Sequence, residues 1–238
     1  MGVEIKLENV HYRYPGQDRE ALQGVTVTFK PGRITGVMGP NAAGKTTLLK
    51  MAAALLKPVK GRVKIMGVDP WRDGSVVHVR RRVVYVHEKP PMLRGTVLDN
   101  ITLPLRLRGM PKKEAVRLAV ETARSLGIDN ILKERAKALS TGQRHLVAIA
   151  RALVLMPEAL LLDEPLANVD HIRRPIIIKT VKELVRNGVT IAIASHDTLT
   201  LTQLASHAIY LEEGRIIMEG SVEDIARGLT LQEGLPDH

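Results

Sequence analysis

The sequence predicts an α/β fold built on a mostly parallel sheet and split by a helical insertion, and three features of the chain predict it. Short, continuous apolar runs stand at Ile34–Met38, Ala159–Leu162, Thr190–Ala194 and Ala208–Leu211, separated by helix-patterned segments. Strands apolar on both faces belong to parallel sheets covered by helices. The first run opens into a glycine-bearing loop, Gly39 to Gly44, and then into the helix-prone stretch Thr47–Leu56, which makes a strand–loop–helix unit. From about Pro90 to Met156 the pattern changes to helical periodicity, in Lys112–Leu126 and again from Ser140 to Met156, with Pro111 and Pro157 as start and stop signals.

Taken in order, the N-terminal third reads as strands Val3–His11, Leu22–Lys30 and Ile34–Met38, divided by the turn signals Tyr14-Pro15-Gly16 and Pro31-Gly32. After Pro157 come strand Ala159–Leu162, a helix over about His171–Asn187, strand Thr190–Ala194 and strand Ala208–Leu211. The α/β core is therefore discontinuous in sequence. A chain of 238 residues can bury one sizeable core with a subdomain attached, so two independent domains are not expected.

Composition narrows the function classes. With 45% apolar and 25% charged residues the chain is neither disordered nor a bundle of membrane spans. Charges break the N-terminal Met1–Lys6, so there is no signal-peptide core, and the most apolar stretch, Leu146–Leu162, is interrupted by Arg151, Pro157 and Glu158. The absence of cysteine excludes disulfides and cysteine-based zinc sites and fits a cytoplasmic protein. A net charge of +10 suits nucleic acid or an anionic membrane. Nucleic acid is not expected, because one Phe, one Trp and four Tyr leave few stacking platforms. Docking on the inner face of an anionic bilayer would also use the excess charge. The densest basic cluster, Arg80-Arg81-Arg82, reads as a solvated edge before a strand.

The chemistry concentrates in two motifs. Gly39-Pro40-Asn41-Ala42-Ala43-Gly44-Lys45-Thr46 fits G-x-x-x-x-G-K-[ST] between a strand and a helix. Such a loop surrounds phosphates with backbone N–H groups, sends Lys45 to the β- and γ-oxygens and offers the Thr46 hydroxyl to Mg²⁺. Strand Leu160–Leu162 ends in Asp163-Glu164-Pro165, which puts two carboxylates at the carboxyl end of a buried strand. Asp163 can hold Mg²⁺, and Glu164 can polarise an attacking water.

Read with Leu139-Ser140-Thr141-Gly142-Gln143, these residues resemble the ATP-binding cassette family over nearly the whole chain. The resemblance implies a P-loop nucleotide-hydrolase (RecA-like) core over residues 1–87 and 157–238, with an N-terminal antiparallel β subdomain, and a helical signature subdomain over 88–156. Tyr14 resembles the residue that stacks on adenine, Gly39–Thr47 the Walker A loop with Thr47 at its end, and Asp163-Glu164 the Walker B pair. Ser140, Thr141, Gly142 and Gln143 resemble the signature, Asp170 the D-loop aspartate and His196, in Ser195-His196-Asp197, the switch histidine. Ser140 and Gly142 open a helix whose positive end can bind a γ-phosphate. The family implication is a head-to-tail pair of chains, a homodimer or two paired cassettes, closing ATP between Lys45 of one and Ser140 of the other.

Departures from the family pattern are Ala42 and Ala43 in the Walker loop, Thr141 for a signature glycine, and His145-Leu146 for Gln-Arg. The largest is Glu88, a carboxylate at the Q-loop position where glutamine is usual. It is a stronger magnesium ligand than an amide, yet it repels the γ-phosphate by roughly 3 kcal/mol per unit-charge pair at about 5 Å and an effective dielectric near 20. Glu88 is therefore expected to hold basal turnover low and make it dependent on divalent metal.

The resemblance implies a MgATP-hydrolysing subunit that drives a separate membrane permease from the cytoplasmic face. Residues Glu88–Gly109 resemble the surface that importers present to the permease, which suggests import of a small inorganic ion. Soluble cassettes of DNA repair or translation and a regulator without turnover are the alternatives; the first lack support in coiled-coil insertions or a second cassette, and the second is opposed by Glu164 and His196. The chain stops soon after Gly214–Ile217, so no added regulatory domain is expected.

Overall fold

The computed structural model describes residues 2–167 and 169–233, without the side chains of 230–233. Along the chain lie β1 (Ile5–Tyr12), β2 (Leu22–Phe29), β3 (Ile34–Met38), α1 (Lys45–Ala52), β4 (Lys60–Ile65), α2 (Val76–Arg82), β5 (Val83–Val86), α3 (Val97–Leu107), α4 (Lys112–Ser125) and α5 (Thr141–Leu153). There follow β6 (Ala159–Asp163), α6 (Arg174–Arg186), β7 (Thr190–Ala194), α7 (Thr198–Leu204), β8 (His207–Glu212), β9 (Arg215–Ser221) and α8 (Val222–Glu233). Two compact units result. One comprises Met1–Tyr85, Glu158–Glu164 and Val181–His238; the other comprises Val86–Pro157 and Pro165–Thr180.

In the first unit β2, β1 and β4 form an antiparallel sheet, with Ile5 opposite both Phe29 and Ile65. The second sheet runs β5-β6-β7-β3-β8-β9. Pairs β6·β7, β7·β3 and β3·β8 are parallel and β9 closes the edge antiparallel to β8. Strands β3, β6 and β7 are buried at every position, the consequence of their unbroken apolar runs. Aliphatic side chains of both sheets and of α1 share one core, with Phe29, Leu48, Leu49 and Met51 wholly buried. The expected mostly parallel core with an antiparallel N-terminal sheet is thus what forms.

Registers decide what meets what. Asp163 pairs with Ala194 and Ala194 with Val37, so the carboxyl ends of β6, β7 and β3 stand in one row. The bonds Glu164 N–H to Ala194 O (2.9 Å) and Ser195 N–H to Val37 O (3.2 Å) carry that alignment one residue past the strands.

The second unit holds α3, α4 and α5. Capping boxes start α3, between Thr96 and Asp99, and α5, between Ser140 and Gln143. The Asp99 carboxyl is held below its ordinary range by the backbone and hydroxyl donors of Thr96. Alanines 115, 119 and 123 give α4 a narrow, wholly buried stripe.

Local expectations need correction in places. The basic cluster is the last turn of α2, directly before β5, with Arg80 and Arg81 exposed as expected; Arg80 also donates twice to Ala54 O, at 3.0 and 2.8 Å, and Arg82 pairs with Glu158. The helix anticipated from Thr47 begins at Lys45 and ends at Ala52. Thr141 takes the first helical position of α5, a conformation open to any L-residue. Within the proline-punctuated stretch before Gly109 lies α3, which contains Pro104.

Candidate active site

The phosphate loop leaves β3 and turns directly into α1, capped by Gly44 at φ 106°. Two glycines are required by space as well as by φ. A Cβ on Gly39 would stand 2.0 Å from Leu211 O, and one on Gly44 2.5 Å from Ala21 O. Ala42 adopts φ 62°, a left-handed conformation for which an alanine is strained by about 1–2 kcal/mol. Pro40, Asn41 and Ala42 form the exposed rim of the loop, whereas Ala43 is buried.

Lys45 is 8% exposed, and its ammonium is held by the carbonyl oxygens of Gly39 (2.7 Å) and Pro40 (2.8 Å). A charge so tethered is aimed back over the loop's own N–H groups, where phosphate oxygens would be received. Thr46 donates its hydroxyl to Asp163 Oδ2 at 2.7 Å across 117 residues of sequence. Tyr85, from β5, donates to the same oxygen at 2.9 Å. Thr46 and Asp163 thus place two hard oxygen ligands side by side, a donor set that suits magnesium. Tyr85 was missed by sequence reasoning: only the pairing of its strand with β6 brings it to Asp163.

Glu164 lies one residue past β6 with φ 49°, strained backbone immediately before Pro165. Its carboxylate is fixed by three contacts: Ser195 Oγ–H to Oε2 (3.1 Å), His196 N–H to Oε1 (2.9 Å) and His196 Nδ1 to Oε1 (2.8 Å). The carboxylate is mostly buried, at 12% exposure, whereas the imidazole is 66% exposed. A mostly buried base with its orientation over-determined can take a proton from a water held at the end of β6. The sequence marks Ser195 only as a neighbour of His196; its buried hydroxyl is one of the groups that orient Glu164. Tyr14 shares a hydrogen bond with Thr47 (3.2 Å between oxygens) and meets Tyr12 edge-on at 5.0 Å. That leaves a half-buried aromatic face next to α1.

In the second unit Ser140 is the N-cap of α5, accepting from Gln143 N at 3.3 Å, while Gln143 Oε1 accepts from Ser140 N at 2.9 Å. Asp170 binds Arg173 through its backbone N–H (3.0 Å) and guanidinium (2.7 Å), and Arg173 holds the Asp170 carboxyl below its usual range. The loop carrying half-buried Glu88 is tied to α5 further along, where Arg151 donates to Pro91 O at 3.1 Å. His145 of α5 is 0% exposed and neither ring nitrogen has a partner; burial, the largest influence on it, lowers its pKa.

A glycine loop closed over a lysine at a helix start, with Thr46 bonded to the aspartate of a neighbouring strand and a fixed glutamate after it, defines a P-loop nucleoside triphosphatase. The family described as "ABC transporter" matches residues 22–167. The tungstate uptake system ATP-binding protein of Peptoclostridium acidaminophilum is 36% identical over 215 residues, spanning 90% of this chain and 97% of that protein. An energy-coupling factor transporter ATP-binding protein of Halalkalibacterium halodurans is 32% identical over 91% of this chain and 78% of its own length. Among solved structures, a dimeric ATP-binding cassette in a post-hydrolysis state with ADP and Pi superposes with TM-score 0.86 at 28% identity, covering 92% of this chain and 98% of that one. The chain belongs to the ABC transporter family, as an ATP-binding cassette with ATPase activity.

Proposed function

We propose that the chain is the MgATP-hydrolysing subunit of an importer, working as a head-to-tail pair against a separate membrane permease at the cytoplasmic face. The observation that carries this reading is the row of groups at the carboxyl ends of β3, β7 and β6: the phosphate loop, Ser195-His196, and Asp163-Glu164. In this reading residues 88–156 act as the signature subdomain of a single cassette domain. Loop N–H groups from Gly39 to Thr47 and the Lys45 ammonium bind the phosphates, and Tyr14 stacks on the adenine. Thr46 and Asp163 would hold magnesium; the ion would supply charge neutralisation on the phosphates. Glu164 accepts a proton from water as its oxygen bonds to the γ-phosphorus; the bond to the bridging oxygen breaks, and its electron pair leaves on ADP. His196 positions Glu164 and the γ-phosphate, Asp170 crosses the dimer seam, and Ser140 to Gln143 of the second chain complete the phosphate shell.

Support for a membrane partner is local to α3, where Leu103 and Leu107 stand 37% and 77% exposed, one turn apart, with Arg106 and Arg108 exposed beside them. An apolar patch with a basic rim suits a permease helix. Among the described residues no helix is long and apolar enough to cross a membrane; in this reading a separate permease supplies the pore. The relative named for tungstate uptake favours a small inorganic oxyanion as the solute.

Glu164→Gln tests the reading. The variant should bind ATP normally, lose at least about 100-fold in kcat and persist as a dimer in MgATP by light scattering. Wild-type turnover in the variant would remove Glu164 from its role, and a monomer would remove the paired arrangement. For the solute, cells lacking this chain should lose tungstate and molybdate content by mass spectrometry; unchanged content would exclude the oxyanion assignment.

A further inference from the structure

Asp163 closes β6 with 2% of its surface exposed, and a carboxylate so enclosed needs donors around it. Two hydroxyls supply them. Thr46, in the first turn of α1, donates at 2.7 Å, and Tyr85, from β5, donates at 2.9 Å. Both bonds end on Oδ2, so Oδ1 is the oxygen that neither hydroxyl occupies. The acceptor directions of an sp² oxygen lie near the carboxylate plane, so two donors on one oxygen fix that plane as well as its position.

The two hydroxyls are not equivalent. Thr46 follows the phosphate-loop lysine and would itself face an ion, with its one proton given to Asp163 and its lone pairs left for the metal. Tyr85 stands on the strand next to β6 at the edge of the sheet, a separate element from the phosphate loop. With Thr46 alone the carboxylate could pivot about a single bond; the phenol, anchored elsewhere, removes that freedom. We propose that Tyr85 is a positioning residue for the magnesium site: its hydroxyl holds the Asp163 carboxylate in one orientation and keeps Oδ1 for the ion or a water of its shell. This rests on the proposed magnesium role of Thr46 and Asp163. Groups that orient a metal ligand in this way set metal affinity without touching the metal.

Tyr85→Phe tests it, because phenylalanine keeps the ring and removes only the hydroxyl. The Mg²⁺ concentration that half-saturates ATP hydrolysis should rise about tenfold, while KM for ATP at saturating Mg²⁺ stays within about twofold of wild type. A second readout is independent of turnover: Mn²⁺ bound with a non-hydrolysable ATP analogue should be held more weakly by the variant, and its electron paramagnetic resonance lines should broaden as the ligand geometry spreads. If the hydroxyl only satisfies a buried carboxylate, the variant will melt earlier with its Mg²⁺ titration and Mn²⁺ spectrum unchanged, and the proposal is overturned. A wild-type protein that hydrolyses ATP with no divalent ion would instead overturn the magnesium reading on which it rests.

Discussion

At the residue scale, the phosphate loop contains one position that chemistry would improve. Ala42 stands at φ 62°, where glycine has no Cβ penalty. The gain from relieving that strain exceeds the entropy that glycine adds to the unfolded chain, about 0.4–1 kcal/mol. Ala42→Gly should therefore raise stability by up to about 1 kcal/mol in denaturant unfolding, with ATP affinity retained; a destabilised variant would mean that the alanine methyl packs usefully. Lys45 is the opposite case, since its ammonium already holds two loop carbonyls and is directed at phosphate. Lys45→Ala should weaken ATP by about 10- to 100-fold in calorimetry, the worth of one or more charge-assisted bonds. Undiminished affinity would remove the loop from the site.

Elements carry the next level of argument, and α5 shows how one residue can hold two jobs. Ser140 caps the helix in this structure, and the signature reading gives it a phosphate of the second chain. Stability and function separate on substitution. Ser140→Ala should cost about 1 kcal/mol in unfolding, the worth of an N-cap. Ser140→Asp keeps a good cap and favours the helix dipole, so its stability should match wild type, yet its carboxylate should repel the γ-phosphate and abolish the ATP-induced dimer. A dimer that still forms with Asp at this position would leave Ser140 as a cap alone. The histidine in the next turn, His145, is wholly buried with neither ring nitrogen bonded, at a cost of about 1–3 kcal/mol.

For the whole molecule, the proposed function calls for a second copy and a membrane partner, so the surface carries information that the core does not. Leu107 is 77% exposed on α3, and replacing it should leave folding within about 0.5 kcal/mol of wild type. Leu107→Asp should keep the isolated subunit's ATPase while uncoupling it from transport in reconstituted vesicles. Retained transport would place the permease contact elsewhere. The core sets the opposite expectation: Leu161, wholly buried in β6, should cost about 2–5 kcal/mol as Leu161→Ala and disturb the Asp163 that follows it.

The sequence by itself determined the features that are contiguous along the chain. The phosphate loop, the Asp163-Glu164 step and the signature turn each place their chemistry within a few residues, and the buried strands β3, β6 and β7 announce themselves as apolar runs. Periodicity also found α4 and α5 to within a few residues at each end, because an amphipathic repeat needs no knowledge of its partner. Short elements such as α2 and β9 were not legible, since seven residues carry too little periodicity to distinguish. Only the tertiary structure decided which groups meet across long stretches of sequence. Inserting β7 between β3 and β6 sets Ser195 and His196 on Glu164, while β5 beside β6 brings Tyr85 to Asp163. Those contacts depend on strand order and register, which are fixed by the packing of the whole core rather than by any local run of residues.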